Sequence, residues 1–394
     1  MIIIAAKNAF LKNRTGIEEY MLQLIKYLAN IEKKKKIIIY TNKVEEKIDF
    51  PGNFHLKIIK WPFLWTQIGL SLKILKFRVC SVSEVSCCLV LWVPAHVMPL
   101  IHPKRTIVTI HGLEYEYFPE YYSWFSRSYL RWSTRYATKH AWKIIAVSKN
   151  TKHNLVKLYG CDTRKIEVVY HGVDRTWNRR TPDVISGNLD RRWEQGTWNR
   201  EQKKTKYFLY LGRIELKKNV LGIINAFSLL KKRAEHTPKE NAEITPKNYK
   251  LVLAGGAGYG YKKIKNKTLK IKNNVRKDII FTDHVSDEEK WQLLRNAEAL
   301  VFPSFYEGFG MPILEAQSIG TPVITSNNSS MKEITSETAL LVNPNKPEEI
   351  VKAMYKIVSD KELRDELIRR GYKNVKKFSW QECAKKTLKI ISNF

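Results

Sequence analysis

One stretch of this chain, Phe302-Pro-Ser-Phe-Tyr-Glu-Gly-Phe-Gly-Met-Pro-Ile-Leu-Glu-Ala-Gln-Ser-Ile-Gly-Thr-Pro-Val-Ile-Thr325, restricts the possible folds more than any other. The apolar run from Glu298 to Phe302 reads as a buried strand. A turn holding Pro303, Gly308 and Gly310 follows. Pro312 then sits where a first helical residue is favoured, because its missing N–H would be unpaired there in any case. A short helix through Ile319 stops at Gly320, and Pro322-Val-Ile-Thr resumes as a strand. Strand–turn–helix–strand units place ligands at the helix N-terminus, beyond the strand's carboxyl end.

Two carboxylates frame that turn, Glu307 before the glycines and Glu315 in the helix's first turns. Taken singly, Glu315 could complement the helix dipole and Glu307 could be a solvated loop acid. As a pair they would repel an anionic diphosphate, whereas the paired hydroxyls of a sugar or ribose are good donors to them. The turn therefore reads as a polyol site, with any phosphate handled elsewhere.

Glu307-x7-Glu315 within Phe-Pro-Ser-x-Tyr-Glu-Gly-Phe-Gly-Met-Pro-x-Leu-Glu-Ala resembles the signature of the family-4 retaining glycosyltransferases, nucleotide-sugar enzymes of GT-B architecture. The resemblance implies an α/β fold of two Rossmann-like domains facing each other across a cleft, with a C-terminal helix crossing back to the first. The expected division is 1–176 as an acceptor-binding domain, 177–206 as a linker and loop excursion, 207–378 as a nucleotide-sugar domain, and 379–394 as the returning helix.

Composition narrows the alternatives. A chain of 394 residues is too long for one ordinary core, so two domains are expected. The net charge of +31 calls for acidic partners such as nucleotide phosphates, anionic lipid headgroups or nucleic acid, or else reflects lysine-rich solvated faces. The five cysteines (Cys80, Cys87, Cys88, Cys161, Cys383) form no C-x-x-C pair and are odd in number, which indicates neither a disulfide frame nor a zinc site. The start, Met1-Ile-Ile-Ile-Ala-Ala, reads as a strand, not a secretion signal. The run from Val85 to Ile101 is broken by Pro94 and Pro99, so it reads as a strand over 89–93 and a loop rather than a membrane span.

Further motifs lie along the chain. Gly16 opens a helix directly after the first strand and its loop, where a phosphate could approach or an ordinary turn could form; the family glycine there lies against donor phosphates, although Glu18-Glu19 replaces the usual second glycine. His111 ends the strand from Arg105 and either faces a ligand or bonds a neighbouring loop; the resemblance implies contact with the transferred sugar. Pro94-Ala-His96 and His171-Gly-Val-Asp174 match family loops in order, with His171 expected to face the space between the domains. Between Trp61 and Arg78 the apolar spacing predicts a helix (Ile68, Leu72, Leu75). Tyr115 to Trp142, rich in aromatics and arginines, reads first as an amphipathic helix pair packed on the sheet, second as a membrane-contacting surface and last as a surface that stacks nucleic-acid bases.

In the second half, Arg213 and Lys218 follow the strand Tyr207–Leu211 and precede a helix from about Val220. Such a pair can neutralise a diphosphate, though alone it would serve equally as a solvated basic turn. The family's Arg-x4-Lys stands at this place and implies phosphate binding, with Lys217 as a neighbour. The turn after Leu251-Val-Leu-Ala, with Gly256, and the loop holding Val285 are implied to lie near the nucleotide. Ser286 and Glu289 fit a capping box.

The resemblance assigns His111, Glu307, Arg213 and Lys218 to catalysis, and Gly16, Arg213, Lys218, Gly256, Val285, Phe309, Gly310, Met311 and Glu315 to the donor. The expected reaction is transfer of a hexose, mannose by closest resemblance, from a nucleotide diphosphate sugar to a glycan or polyprenyl-linked acceptor in surface polysaccharide synthesis. No Asp-x-Asp occurs, so metal and other cofactors are not expected. The expected setting is cytoplasmic, with attachment to the inner membrane face left open. The competitors are a sugar-nucleotide epimerase, for which the Glu-x7-Glu with Arg-x4-Lys is not expected, a non-catalytic sugar-nucleotide binder, and a basic nucleic-acid-binding protein, for which no base-stacking motif is found.

Overall fold

A computed structural model describes residues 1–80, 89–173, 206–235 and 248–392. The expected linker, Cys87, Cys88 and most of the polar loop after Ala234 lie outside the described residues. The chain divides into two compact units, one formed by Met1–Gly172 with Phe378–Phe394 and one by Val173–Lys377.

The first unit is a seven-stranded sheet, β1 (Ile2–Ala5), β2 (Ile37–Thr41), β3 (Phe54–Ile58), β4 (Val90–Val93), β5 (Arg105–Ile110), β6 (Lys143–Ala146) and β7 (Ile166–Val168), in the order β3-β2-β1-β4-β5-β6-β7. Every pairing is parallel. That is why β1, β2 and β4 read as unbroken apolar runs: both faces of such strands are covered. The second unit has β8 (Tyr207–Leu211), β9 (Lys250–Ala254), β10 (Ile279–Asp283), β11 (Ala299–Phe302), β12 (Val323–Ser326) and β13 (Leu340–Val342), ordered β10-β9-β8-β11-β12-β13 and again all parallel. In each sheet the chain winds outward from a central strand, then restarts on its other side. The switch point lies between β1 and β4 in the first unit and between β8 and β11 in the second, and ligands of such sheets bind beyond the strand ends at that point.

Two readings of the first unit need correction. The segment 61–80 is helical, as a π-helical turn Trp65–Leu70 running into an α-helix Ser71–Cys80, but Ile68, Leu72 and Leu75 point outward while Trp65, Leu70 and Ile74 enter the core. The wider π turn shifts the angular register, so an ideal 3.6-residue wheel picks the wrong face. The segment 115–142 holds one long helix, Trp124–His140, preceded by two short turns. It buries Ser133, Thr134, Ala137 and Thr138, and leaves Trp124 82% exposed. Tyr115 lies in the core and Tyr122 and Tyr136 pack against it, whereas Trp124, Phe125 and Trp132 face solvent.

The last helix, Trp380–Ser392, packs on the first-unit helix Gly16–Ile31. Lys35 Nζ reaches Ser392 Oγ at 2.6 Å. Its start is fixed by Gly172, because a Cβ at that position would collide with the backbone of Trp380. Among the described residues no helix is long and apolar enough to cross a membrane.

Candidate active site

In the second unit, charged side chains gather at the switch point. After β8 the chain turns through Gly212 (φ 140°), whose N–H bonds Ala254 O at 2.9 Å, and Ile214 N–H bonds Gly256 O at 2.9 Å. These bonds continue the β8–β9 ladder into the loops, so Arg213 stands at a fixed place beyond the sheet. Gly255 (φ 140°) makes this possible, since a side chain there would strike the Gly212 carbonyl. Tyr210 OH donates to Arg213 O at 2.7 Å and the Tyr210 ring stacks on Phe302 of β11 at 6.0 Å, which ties the Arg213 turn to the neighbouring strand.

Lys218 closes a short 3-10 turn, Leu216–Lys218, and its ammonium forms an ion pair with Glu307. Both side chains are largely covered, 18% and 11% exposed. The β8 and β11 turns are also joined by Phe305 N–H donating to Lys217 O at 3.2 Å, and the Asn219 side chain donates through Nδ2 to Pro303 O at 3.1 Å and, beyond β13, to Pro344 O at 2.7 Å. Asn219 itself has φ 58°, a left-handed conformation that asparagine tolerates.

The loop from Phe302 to Gly310 is clipped at nearly every step by one polar run, Thr325-Ser-Asn-Asn-Ser-Ser330. Thr325 Oγ1 donates to Phe302 O, Ser326 Oγ to Ser304 O, Asn328 Nδ2 to Phe305 O, and Ser330 Oγ to both Glu307 O and Phe309 O, all within 3.1 Å. Ser329 Oγ accepts the Glu307 N–H at 3.2 Å. The loop is thus held by side chains of the next strand end, which satisfies its covered carbonyls. Gly310 (φ 102°) caps the helix Met311–Ser318. The first N–H groups of that helix and the preceding loop, from Phe309 to Met311, stand at its positive end.

Glu315 lies one turn further along that helix. Among the described residues no hydrogen bond or ion pair joins it to Arg213, Lys218 or Glu307. Its carboxylate instead pairs with Lys290 Nζ at 3.1 Å, and Lys290 also reaches Asp287 at 3.0 Å. Burial pulls the Lys290 ammonium down, but the charges of Glu315 and Asp287 outweigh it and the net shift is upward. Lys290 stands on the helix Asp287–Asn296, whose capping box forms as its sequence predicts, with Glu289 N–H donating to Ser286 Oγ at 3.2 Å and Ser286 N–H to Glu289 Oε2 at 2.7 Å. Val285, just before it, packs against the second unit's core. Gly256 has open space where a side chain would stand; the close approach in that loop belongs to Gly255.

The remaining candidates belong to the first unit. His111 lies at the end of β5, 9% exposed, with Nε2 2.9 Å from Pro94 O and its backbone N–H donating to His96 Nε2 at 3.2 Å. Burial, with a smaller contribution from His96, lowers its pKa to about 3, so the ring is neutral at physiological pH and Nε2 carries the proton given to Pro94 O. His171 is buried between Tyr20 (ring centroids 4.5 Å) and Trp380 (6.0 Å), both of the first unit. Its pKa also falls, chiefly through burial. At Gly16 the helix N-terminus already has acidic company: Glu18 Oε2 accepts the Thr15 N–H at 2.7 Å, and Glu19 pairs with Arg14 at 2.8 Å.

Lys290, Asn219, Gly255 and the Thr325–Ser330 clip were missed from sequence. The clip carried a visible signal, a run of small polar residues that begins at a strand's end, and Gly255 lies in the turn read after Leu251-Val-Leu-Ala.

Comparison with known proteins adds a further layer. Residues 14–177 match the profile of Glycosyltransferase Family 4, and residues 192–374 that of Glycosyl transferases group 1. O-antigen chain mannosyltransferase B of Escherichia coli is 28% identical over 98% of both chains. Among solved structures, WaaG, a glycosyltransferase involved in lipopolysaccharide biosynthesis, superposes with a TM-score of 0.71 at 14% identity over the full length of both chains. Anabaena Alr3699/HepE in complex with UDP and glucose superposes with a TM-score of 0.69 at 14% identity, also covering 100% of this chain and 99% of its own.

Proposed function

Because the chain belongs to the family-4 glycosyltransferases of GT-B architecture, we propose that it moves a hexose, mannose in the first instance, from a nucleoside diphosphate sugar to a glycan or polyprenyl-linked acceptor in cell-surface polysaccharide synthesis, with retention of anomeric configuration. The observation that carries the reading is the meeting of Lys218 and Glu307 at adjacent strand ends, with Arg213 at the same switch point. A cation beside an acid suits a group that is diphosphate at one end and polyol at the other.

In this reading Arg213 and Lys218 hold the diphosphate. An ammonium has three protons, so Lys218 can keep Glu307 and still offer two to phosphate oxygens. Glu307 accepts from sugar hydroxyls, and the N–H groups of Phe309, Gly310 and Met311 add donors at the helix end. Glu315 accepts from the ribose diol, while Gly256 and Val285 flank the nucleotide. The C1–O bond to the diphosphate breaks, its electron pair stays on the phosphate oxygen, and the two cations stabilise that charge as the sugar takes on oxocarbenium character. The acceptor oxygen bonds C1 on the face the phosphate leaves, and its proton passes to that phosphate oxygen. The cations do the work a metal would otherwise do, in keeping with a chain without Asp-x-Asp. His111, as a neutral imidazole, offers the sugar a hydrogen-bonding and steric surface rather than charge. The acceptor's lipid carrier would bring the enzyme to the inner face of the membrane.

The test is direct. A thermal-shift screen of nucleoside diphosphates and their sugars should show selective stabilisation by one base. Transfer from that donor, with product anomeric configuration read by NMR, should be lost in Arg213→Ala and Glu307→Ala. Full activity in both variants would overturn the assignment.

A further inference from the structure

The first unit exposes large apolar side chains on two helical segments. The π–α segment presents Phe63, Leu72 and Leu75 to solvent, and the Trp124–His140 helix presents Trp124, Phe125 (63% exposed) and Trp132. The two segments touch: Gln67 Nε2 lies 3.4 Å from Tyr129 OH and 3.0 Å from Met98 O, and Tyr136 OH donates to Leu100 O at 3.2 Å. Tyr129, Trp132 and Tyr136 stack in sequence along the second helix, so the aromatic face is continuous there. An apolar surface of this kind on a folded domain marks an interaction site.

Charge says what covers it. No acidic residue occurs between Asp49 and Glu84 or between Glu120 and Asp162. Lys60, Lys73, Lys76 and Arg135 lie exposed among the apolar groups, while Arg131 is paired with Glu116. Two copies of so cationic a face would repel each other, which argues against a self-association surface. Exposed tryptophans interleaved with lysine and arginine are the chemistry of an anionic bilayer surface: the rings enter the headgroup boundary and the cations meet lipid phosphates.

We propose that this face, formed by segments 61–76 and 124–136 of the first unit, docks peripherally on an anionic lipid bilayer. Its purpose, bringing a lipid-linked acceptor to the enzyme, rests on the transferase reading above; the binding itself does not.

The purified full chain is floated with phosphatidylcholine vesicles and with vesicles containing about 30% phosphatidylglycerol. It should float with the second and not the first, and come off as salt is raised from about 0.05 to about 0.5 M. The double variants Trp124→Ser/Phe125→Ser and Leu72→Gln/Leu75→Gln replace exposed side chains, so each should melt like the parent. Each should lower the bound fraction at least about tenfold. Failure of the parent to float, equal binding to neutral vesicles, or undiminished binding by both variants overturns the proposal. So does a concentration-dependent dimer that either variant dissolves. Donor-sugar transfer to a soluble acceptor is measured in parallel: loss of flotation with transfer intact sinks only this inference, and loss of transfer with flotation intact sinks only the functional reading.

Discussion

The two units share an all-parallel sheet with a central switch point, yet they furnish its strand ends differently. The second unit puts acids and bases there: Lys218 against Glu307, Lys290 against Glu315, and Arg213 one turn away. The first unit puts rings there, with His111, His171, Tyr20 and Trp380 buried against one another and the two imidazoles held neutral by burial. One arrangement suits a ligand of high charge. The other is a buried aromatic cluster that carries no charge.

The sharpest way to break the contrast is to remove charge from the second unit. Glu307→Gln keeps shape and an acceptor for Lys218 but loses the carboxylate, and kcat should fall about 10²- to 10³-fold, with Arg213→Ala comparable. Steady-state transfer assays with donor varied check both. An effect under about tenfold in both would mean that Arg213 does not stabilise the departing charge and that Glu307 does not hold the sugar in the transition state. The next effect belongs to the first unit and should be one of stability alone. Gly172→Ala forces a methyl into the Trp380 backbone, so the last helix must shift, at a cost of about 1–3 kcal/mol in denaturant unfolding. Unchanged stability would show that the Trp380–Ser392 helix is loosely held.

The same contrast explains what the sequence revealed. The inner strands β1, β4, β8 and β11 were legible because fully buried parallel strands must be apolar throughout; β7, three residues at the sheet edge, was not. The Glu307–Glu315 turn was legible because proline and glycine must stand at particular backbone positions. By contrast, the fate of His171 depended on Trp380, a ring more than two hundred positions away that no local pattern specifies. The outward turn of Leu72 and Leu75 depended on a π-helical step that the spacing of apolar residues does not encode. Lys290 looked like one more lysine of a cationic chain, and only its placement beside Glu315 marks it out.

Acid should separate the units further. An imidazole with a folded pKa near 3 and an ordinary unfolded value near 6.5 binds more protons when unfolded between those limits. The stability this neutrality provides is therefore complete above about pH 6.5 and is lost as pH falls toward 3. His111 alone contributes a slope of at most ~1.4 kcal/mol per pH unit, and His171 shifts in the same direction. Urea unfolding of the parent at pH 7.5 and 5.5 should show about 1 kcal/mol or more of loss, reduced in His111→Asn. A pH-independent midpoint over that range would mean that the rings are already solvated.

The smallest expected effect bears on Lys290. Its ammonium neutralises Glu315 from one side, and Glu315 is expected to hold the ribose, a group whose bonding does not change during the reaction. An interaction made equally in ground and transition states alters KM and leaves kcat alone. Lys290→Met keeps an unbranched apolar stem but removes the ammonium, which stands 5.0 Å from the centre of the Trp291 ring. Glu315 can still accept from the diol, though both it and Asp287 lose their bond to the Lys290 ammonium. The donor KM should rise about 3- to 10-fold, roughly 1 kcal/mol, with kcat within a factor of two. A fall in kcat at constant KM would place Lys290 with the departing diphosphate instead, and the second unit would then carry three phosphate cations rather than two.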